Sequence, residues 1–111
     1  MNNQYEILGE EKYYVVSPEE YNDVPEGTRL KIHGVVDEKP VVSHARSKRP
    51  PALLILRYFI ETRLSVGGVE TRYDGPAFIR KGEEVTVWGR KSGTRFEAVK
   101  IEGEGFTVKI Y

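Results

Sequence analysis

Two short segments of the sequence concentrate side chains that could bind phosphate groups. They are HARSKRPP (44–51) and RKSGTR (90–95). Their basic residues are Arg46, Lys48 and Arg49 in the first segment and Arg90, Lys91 and Arg95 in the second. Guanidinium and ammonium groups neutralise polyanions and hydrogen-bond phosphate oxygens. The two segments therefore favour non-covalent anion binding, and the alternative for each is a solvated surface loop.

A third set of basic and aromatic side chains follows alternate positions of one long segment, ALLILRYFIETRLSV (52–66). Its even positions are apolar apart from Thr62, whereas its odd positions include Arg57, Phe59 and Arg63. This period of two predicts a long, curved strand whose odd positions face outward, with Arg72 outward on the next strand. Exposed cations beside a flat ring are the combination that single-stranded nucleic acid needs. The alternative for Phe59 is packing under the preceding loop or the N-terminal arm.

Motifs for catalysis or metal binding are missing from the sequence. The chain has no cysteine, which excludes disulfides, thiolate catalysis and cysteine-ligated zinc. His33 and His44 are too far apart to predict a metal site, and we expect His33 to be a surface residue. No Gly-x-Ser-x-Gly or phosphate-binding glycine loop occurs, and the adjacent Glu83 and Glu84 would face opposite sides of a strand. We therefore expect no enzymatic activity and no cofactor.

The charge is distributed unevenly along the chain. The 111 residues, enough for one domain, have a formal net charge of zero. Residues 1–27 contribute −6 and the remainder +6. This asymmetry indicates a polyanionic partner for the basic part, or an acidic arm folded over a basic body. No segment has the length and apolarity of a membrane helix, and we expect a cytoplasmic protein. The scarcity of cysteine, methionine, asparagine and glutamine is typical of thermophilic proteins.

Strand patterns dominate the elements that must position these residues. The alternation predicts five antiparallel strands at 28–36, 52–66, 69–75, 84–90 and 94–103. Turns are predicted at 67–68 and 91–93, and a long loop over 37–51. Additional strands are predicted at 12–16 and 106–111, and SPEE (17–20) is typical of a helix start. The predicted fold is all-β: an N-terminal extension (1–27), a small closed barrel (28–103) and a C-terminal strand (104–111).

The segments VETRYDGPAFIRKGEEVTVWGR (69–90) and FEAVKIEG (96–103) resemble the second half of an OB-fold domain of the replication protein A or tRNA anticodon-binding type. The matching residues are Tyr73, Gly75, Phe78, Gly82, Val85, Val87, Gly89, Phe96 and Ala98. The resemblance extends in part to 28–66 but does not cover 1–27 or 104–111. Haem chaperones of cytochrome c maturation share the pattern, but they bind haem through a histidine beyond the fifth strand and are membrane-anchored. This chain has no histidine there, which excludes haem binding.

The resemblance implies a ligand lying across strands 2 and 3, between the loops that join strands 1–2 and 4–5. The two basic segments fall at these loops. We therefore expect an OB-fold module that binds single-stranded DNA or RNA with little sequence preference. The alternatives are a protein-interaction module or complex subunit and, less favoured, a small-ligand or oligosaccharide binder. We expect Trp88 to be covered by 12–16 or 106–111 rather than to stack on a base, and Tyr73 to lie in the core.

Overall fold

The computed structural model describes residues 4–46, 58–104 and 106–109. In these residues it contains nine strands and one short 3₁₀ helix. The elements are β1 (Tyr5–Leu8), β2 (Glu11–Val16), the 3₁₀ helix (Pro18–Asp23), β3 (Arg29–Val35), β4 (Val41–Arg46), β5 (Tyr58–Val66), β6 (Val69–Asp74), β7 (Glu84–Ser92), β8 (Arg95–Gly103) and β9 (Phe106–Lys109). The predicted all-β fold is confirmed. None of the described segments forms a helix long and apolar enough to cross a membrane.

The strands close into a barrel through one bent strand. β3 pairs with β7, and the order continues through β8, β6 and β5 to β4, which follows β3 in the chain. Between β3 and β4, Val36 forms a bridge to Val66 on β5, so the two ends of the path meet. β6 and β8 pair in parallel, while the other pairs of the barrel are antiparallel. With β3 and β4 counted as one broken strand, this is the five-stranded barrel predicted from the sequence, except that the parallel β6–β8 pair replaces one of the antiparallel pairs that were expected.

Alternating side chains explain why these segments form strands. Leu30, Ile32, Val85, Val87 and Ile101 have no exposed surface. They belong to a cluster that also contains Val16, Tyr21, Val24, Val36, Leu64, Val66, Val69, Tyr73, Ala77, Ile79, Phe96 and Ala98. Burying one face of every strand supplies the main apolar contribution to stability. The expected placement of Tyr73 in the core is confirmed.

The start of β5 departs from the predicted alternation. Ile60 was expected on the inner face, but it is exposed, because it pairs only with His44 of β4 and lies beyond the pairing with β6, which begins at Glu61. Glu61, expected outward, is 4% exposed because arginine side chains on the outer face engage its carboxylate. The apolar pattern therefore predicts inner positions correctly only where the strand has partners on both edges.

Two predicted loops are wrong in part. The segment 37–51 was expected to be one loop, but Val41–Arg46 forms β4 and pairs with β5. The main-chain N–H and C=O groups of β4 find hydrogen-bond partners on β5. The segment HARSKRPP therefore begins inside a strand, and residues 47–57 lie outside the described residues. The predicted turn at 91–93 is also displaced: Lys91 and Ser92 belong to β7, and the turn lies at Gly93–Thr94.

The N-terminal residues add a hairpin and a helix to the barrel. β2 pairs antiparallel with β1 and parallel with β3, which confirms the strand expected near 12–16, whereas β1 was not predicted. The predicted helix start is confirmed as the 3₁₀ helix, where the Ser17 main-chain N–H (3.2 Å) and hydroxyl (2.9 Å) donate to the Glu20 carboxylate. These hydrogen bonds lower the pKa of Glu20. β9 pairs with β8, as expected for a C-terminal strand.

The main chains of β7 and β8 approach each other closely at Gly89. The pairing register of β7 and β8 shifts between Trp88 and Gly89, and a Cβ atom at position 89 would lie 2.4 Å from the Glu97 carbonyl oxygen. The obstacle is main chain rather than a flexible side chain, so the two strands would have to separate.

We expect Gly89→Ala to lower the free energy of unfolding by about 2 kcal/mol or more, as overpacking does in a rigid interior. Urea denaturation followed by circular dichroism measures this change. Ser92→Ala, an exposed substitution on the same strand, should change stability by less than about 0.5 kcal/mol. Equal stabilities for the two variants would show that the strands can separate at little cost.

Candidate nucleic-acid interface

A row of arginines crosses the outer face of the barrel at right angles to the strands. Arg63 on β5 pairs in register with Arg72 on β6, Arg72 with Glu97 on β8, and Glu97 with Arg90 on β7. Adjacent strands lie about 4.8 Å apart, so the row is about 14 Å long. Arg95 precedes Glu97 by two residues on β8 and therefore shares its face. The structure thus brings together four of the basic residues predicted to bind phosphate, and we call these residues and Glu97 the arginine row.

Arg72 is the centre of an ion-pair network on this face. Its guanidinium contacts the carboxylates of Glu61 (2.6 Å), Asp74 (2.6 Å) and Glu97 (3.1 Å). Arg63 contacts the second oxygen of Glu61 at 2.9 Å. The hydrogen bond from Arg72, followed by the charge of Arg63, holds the pKa of Glu61 below its usual value. The network therefore neutralises a nearly buried carboxylate, and a phosphate approaching Arg72 must compete with three carboxylates.

The arginines at the two ends of the row are more exposed than Arg72 at its centre. The side chain of Arg63 is 52% exposed although it contacts Glu61. Arg90 and Arg95 are exposed and form no ion pair with another described residue. Glu97 lies opposite Arg90 in register, but its carboxylate binds Arg72. Cations open to an incoming phosphate therefore lie mainly at the β7–β8 end of the row.

Lys91 is directed away from the arginine row. Its ammonium group donates to the main-chain carbonyl oxygens of Tyr21 (2.9 Å), Asn22 (3.3 Å) and Val24 (2.8 Å) and lies 4.8 Å from the centre of the Tyr21 ring. It therefore satisfies carbonyl groups at the end of the 3₁₀ helix. Burial raises the pKa of Tyr21 to about 12. Phosphate binding by Lys91 remains a prediction, but its ammonium group already has three acceptors.

The remaining predicted ligands belong to the β4–β5 hairpin and the segment beyond it. Arg46 pairs in register with Tyr58, and Phe59 with Ala45. Lys48, Arg49 and Arg57 lie outside the described residues. The hairpin extends past the point where β6 begins to pair with β5, and it leads directly into the basic segment. The predicted roles of these five residues stay predictions.

Trp88 lies on the outer face of β7, two residues before Arg90, and is buried by residues of β3 and β8, while its expected covering by 12–16 or 106–111 stays a prediction. It is 4% exposed, with the ammonium groups of Lys100 and Lys31 at 4.5 and 5.3 Å from its ring centre. Lys31 also donates a hydrogen bond to Glu6 of β1, which lowers the pKa of that carboxyl. The groups found over the ring are lysines of neighbouring strands, held on one side by the N-terminal hairpin. Trp88 therefore has no open face for a nucleobase.

The segment between β6 and β7 contains exposed residues to which the sequence analysis gave no binding role. Phe78 is 85% exposed, and Arg80 and Lys81 beside it are exposed without an ion pair to another described residue. In the sequence, Phe78 is recognisable only as one of the residues that match the OB-fold pattern. The alternation of AFIR (77–80) could have indicated that it faces outward, between an inward alanine and isoleucine.

The described residues contain no cluster of histidine, cysteine and acidic side chains that could hold a metal ion. The exposed His33 shares a hydrogen bond of 2.9 Å with the Thr86 hydroxyl, through Nδ1. Its other ring nitrogen lies 3.9 Å from a carboxylate oxygen of Glu84. The expectation that His33 is a surface residue is therefore confirmed.

Comparison with known proteins supports the fold. No protein family and no curated protein matches the sequence. Among solved structures, a chain in the crystal structure of the S. pombe Stn1–Ten1 complex is similar, with a TM-score of 0.53 and 19% sequence identity. The match covers 89% of this chain and 83% of that chain. A likeness at this identity shows the fold alone, and it agrees with the strand order in defining an OB-fold domain.

The network around Arg72 makes stability depend on pH. Glu61→Gln removes the charge that Arg72 and Arg63 bind, and we expect it to lower the free energy of unfolding by about 2 kcal/mol at pH 7. Because folding lowers the pKa of Glu61 from its ordinary 4.5, the ionised form stabilises the protein above that pH. This stabilisation is lost as the pH falls through the lower folded-state pKa, so the difference between wild type and variant should shrink there.

Urea denaturation between about pH 7 and pH 3 measures that difference. Glu70→Gln is the matched control, because Glu70 is exposed on β6 and has no ion pair with another described residue. A Glu61→Gln effect that stays constant over the whole pH range would contradict a role for the ionised carboxylate.

Proposed function

We propose that this chain is an OB-fold module that binds single-stranded DNA or RNA with little sequence preference and performs no catalysis. The arginine row carries this proposal, because it arranges cations across the strands on one outer face. A nucleic-acid strand crossing β5, β6, β8 and β7 would present phosphates to Arg63 at one end of the row and to Arg90 and Arg95 at the other. Phosphate contacts of this kind supply affinity without reading the base sequence.

The β4–β5 hairpin supports the same proposal. It projects past the barrel at one side of this face and continues into the segment with Lys48, Arg49 and Arg57. In OB-folds the loop in this position and the loop between the last two barrel strands flank the ligand. Here the second of these is the tight turn at Gly93–Thr94, with Arg90 and Arg95 on the strands that flank it. Arg90 and Arg95 therefore lie beside one of the two loops, and a role for the basic residues of 47–57 at the other loop is part of the proposal.

A protein partner is the second candidate function. β1 lies at one end of the sheet order, and its side chains Tyr5 and Ile7 are 52% and 60% exposed. Exposed edge strands can pair with a strand of another protein. The similar solved structure is also that of a two-protein complex. A subunit that docks through β1 would leave the arginine row available, so both functions could operate in one protein.

The proposed binding should depend steeply on salt. We expect the wild type to bind labelled single strands of about 15 nucleotides more tightly than the matching duplex, and to lose at least tenfold in affinity between about 50 and about 200 mM salt. Fluorescence anisotropy measures both quantities. Replacing Arg90 and Arg95 together by glutamine should weaken binding roughly tenfold at low salt. It should also reduce the slope of log K against log salt by about 1.4.

Lys12→Gln provides the matched control, because it removes one positive charge from the N-terminal hairpin, where Lys12 lies 4.7 Å from the centre of the Tyr5 ring. It should bind like the wild type. The absence of single-strand binding at low salt would reject the proposed function and leave the protein partner. An equal loss of binding free energy per removed charge in Lys12→Gln would show that total charge, rather than the arginine row, governs binding.

A further inference from the structure

Phe78 is the most exposed of the large apolar side chains among the described residues, at 85%. Single exposed apolar residues are common on monomeric proteins and need no special role. Phe78 differs because its surroundings hold it in position and supply the charges that a ligand would need.

The main chain on both sides of Phe78 is fixed. Ala77 and Ile79 are buried in the core, at 1% and 6% exposure. The Ala77 N–H donates to the Thr62 hydroxyl oxygen (2.9 Å), and that hydroxyl donates to the Gly75 carbonyl oxygen (2.8 Å). The ring is therefore presented outward from a rigid support, so a ligand that contacts it does not have to order the segment first.

Two cations accompany the ring. In the segment 77–80 buried and exposed residues alternate, so Phe78 and Arg80 are both directed away from the core. Lys81 follows and is also exposed, and neither cation forms an ion pair with another described residue. A flat ring beside unpaired cations is suited to a ligand that has both a planar apolar surface and negative charge.

The position of the segment connects it to the arginine row. It leaves β6 directly after Asp74, whose carboxylate contacts Arg72 at 2.6 Å. The hydroxyl of Thr62, on β5 between Glu61 and Arg63, holds the segment in place. Because Thr62 is buried, it holds the segment from the core side, and Phe78 follows the end of β6 at the end of the barrel where the β4–β5 hairpin extends past β6.

We propose that Phe78, Arg80 and Lys81 form a nucleobase-stacking site, in which an unpaired base lies on the ring and the adjoining phosphates contact the two cations. The site rests on the proposed function and extends it, since the arginine row provides charge but none of its residues is aromatic. A nucleic-acid strand that continues from the row past the end of β6 would stack one of its bases on this ring. Stacking on a ring tolerates any base, in keeping with binding that has little sequence preference.

Substitutions at position 78 distinguish stacking from a general apolar contact. We expect Phe78→Ala to raise the Kd for a labelled single strand of about 15 nucleotides roughly tenfold, measured by anisotropy at low salt. Phe78→Leu should lose nearly as much, because it keeps the apolar surface but not the flat ring. Phe78→Trp should bind within about threefold of the wild type, and the fluorescence of the introduced indole should be quenched by the oligonucleotide.

Two further measurements test the charges and the specificity of the effect. Replacing Arg80 and Lys81 together by glutamine should reduce the slope of log K against log salt by about 1.4. Ile7→Ala is the matched control, because Ile7 is 60% exposed on β1, remote from the segment. It should bind like the wild type, and all variants should retain the wild-type unfolding temperature because the replaced side chains are exposed.

The outcomes separate this site from the proposed function. Salt-dependent binding by Phe78→Ala with wild-type affinity would overturn the stacking site while leaving the proposed function intact. Wild-type affinity for Phe78→Leu would overturn stacking as the mode of contact. If the wild-type protein binds no single strand at low salt, the proposed function fails and the site fails with it.

Discussion

Closure of the barrel is the constraint on which the other features depend. The first barrel strand must pair with β7 over one half and with β5 over the other, and the chain accommodates this by breaking into β3 and β4 at Val36, which bridges to Val66. Once the sheet closes, every barrel strand has one face toward a common core and one toward the outside. Apolar residues then fill the interior, and the charged residues of the same strands are collected on the outer surface.

On that surface the distribution of carboxylates decides which cations remain open. Glu97 lies between Arg72 and Arg90 in register and binds Arg72. Arg72 also binds Glu61 and Asp74, so the charge at the centre of the arginine row is compensated, whereas Arg90 forms no ion pair with a carboxylate among the described residues. Burying part of a charge network requires such compensation, because an unpaired buried charge is strongly destabilising. The ion pairs that stabilise this face therefore involve Arg72 and leave the arginines at its β7–β8 end available to bind phosphate.

Two aromatic residues outside the core illustrate how neighbouring elements determine accessibility. Trp88 lies beneath Lys31 and Lys100, and Glu6 of the N-terminal hairpin holds Lys31 in place. Phe78 has no comparable cover among the described residues, although its two neighbours in sequence are buried. Trp88 is covered because β1 and β2 add to the β3 edge of the sheet, beside the β7 strand that carries it. Residues of the acidic N-terminal segment thus meet the basic strands beside Trp88, through Glu6, and in the turn between Arg90 and Arg95, where the Glu26 carboxylate accepts a hydrogen bond of 2.9 Å from the Gly93 N–H.

The sequence by itself determined the all-β class, the five barrel strands and most inner positions, because alternation of apolar residues is a local signal that a buried face enforces. It also determined that Arg63 and Arg72 occupy outer positions of β5 and β6. Only the tertiary structure decided which of those cations are open: whether Arg72 meets three carboxylates, or Lys91 three carbonyl groups, depends on partners distant in sequence. For the same reason β4 was mistaken for a loop, because its backbone is satisfied by β5, and no signal within the segment itself reveals that partner.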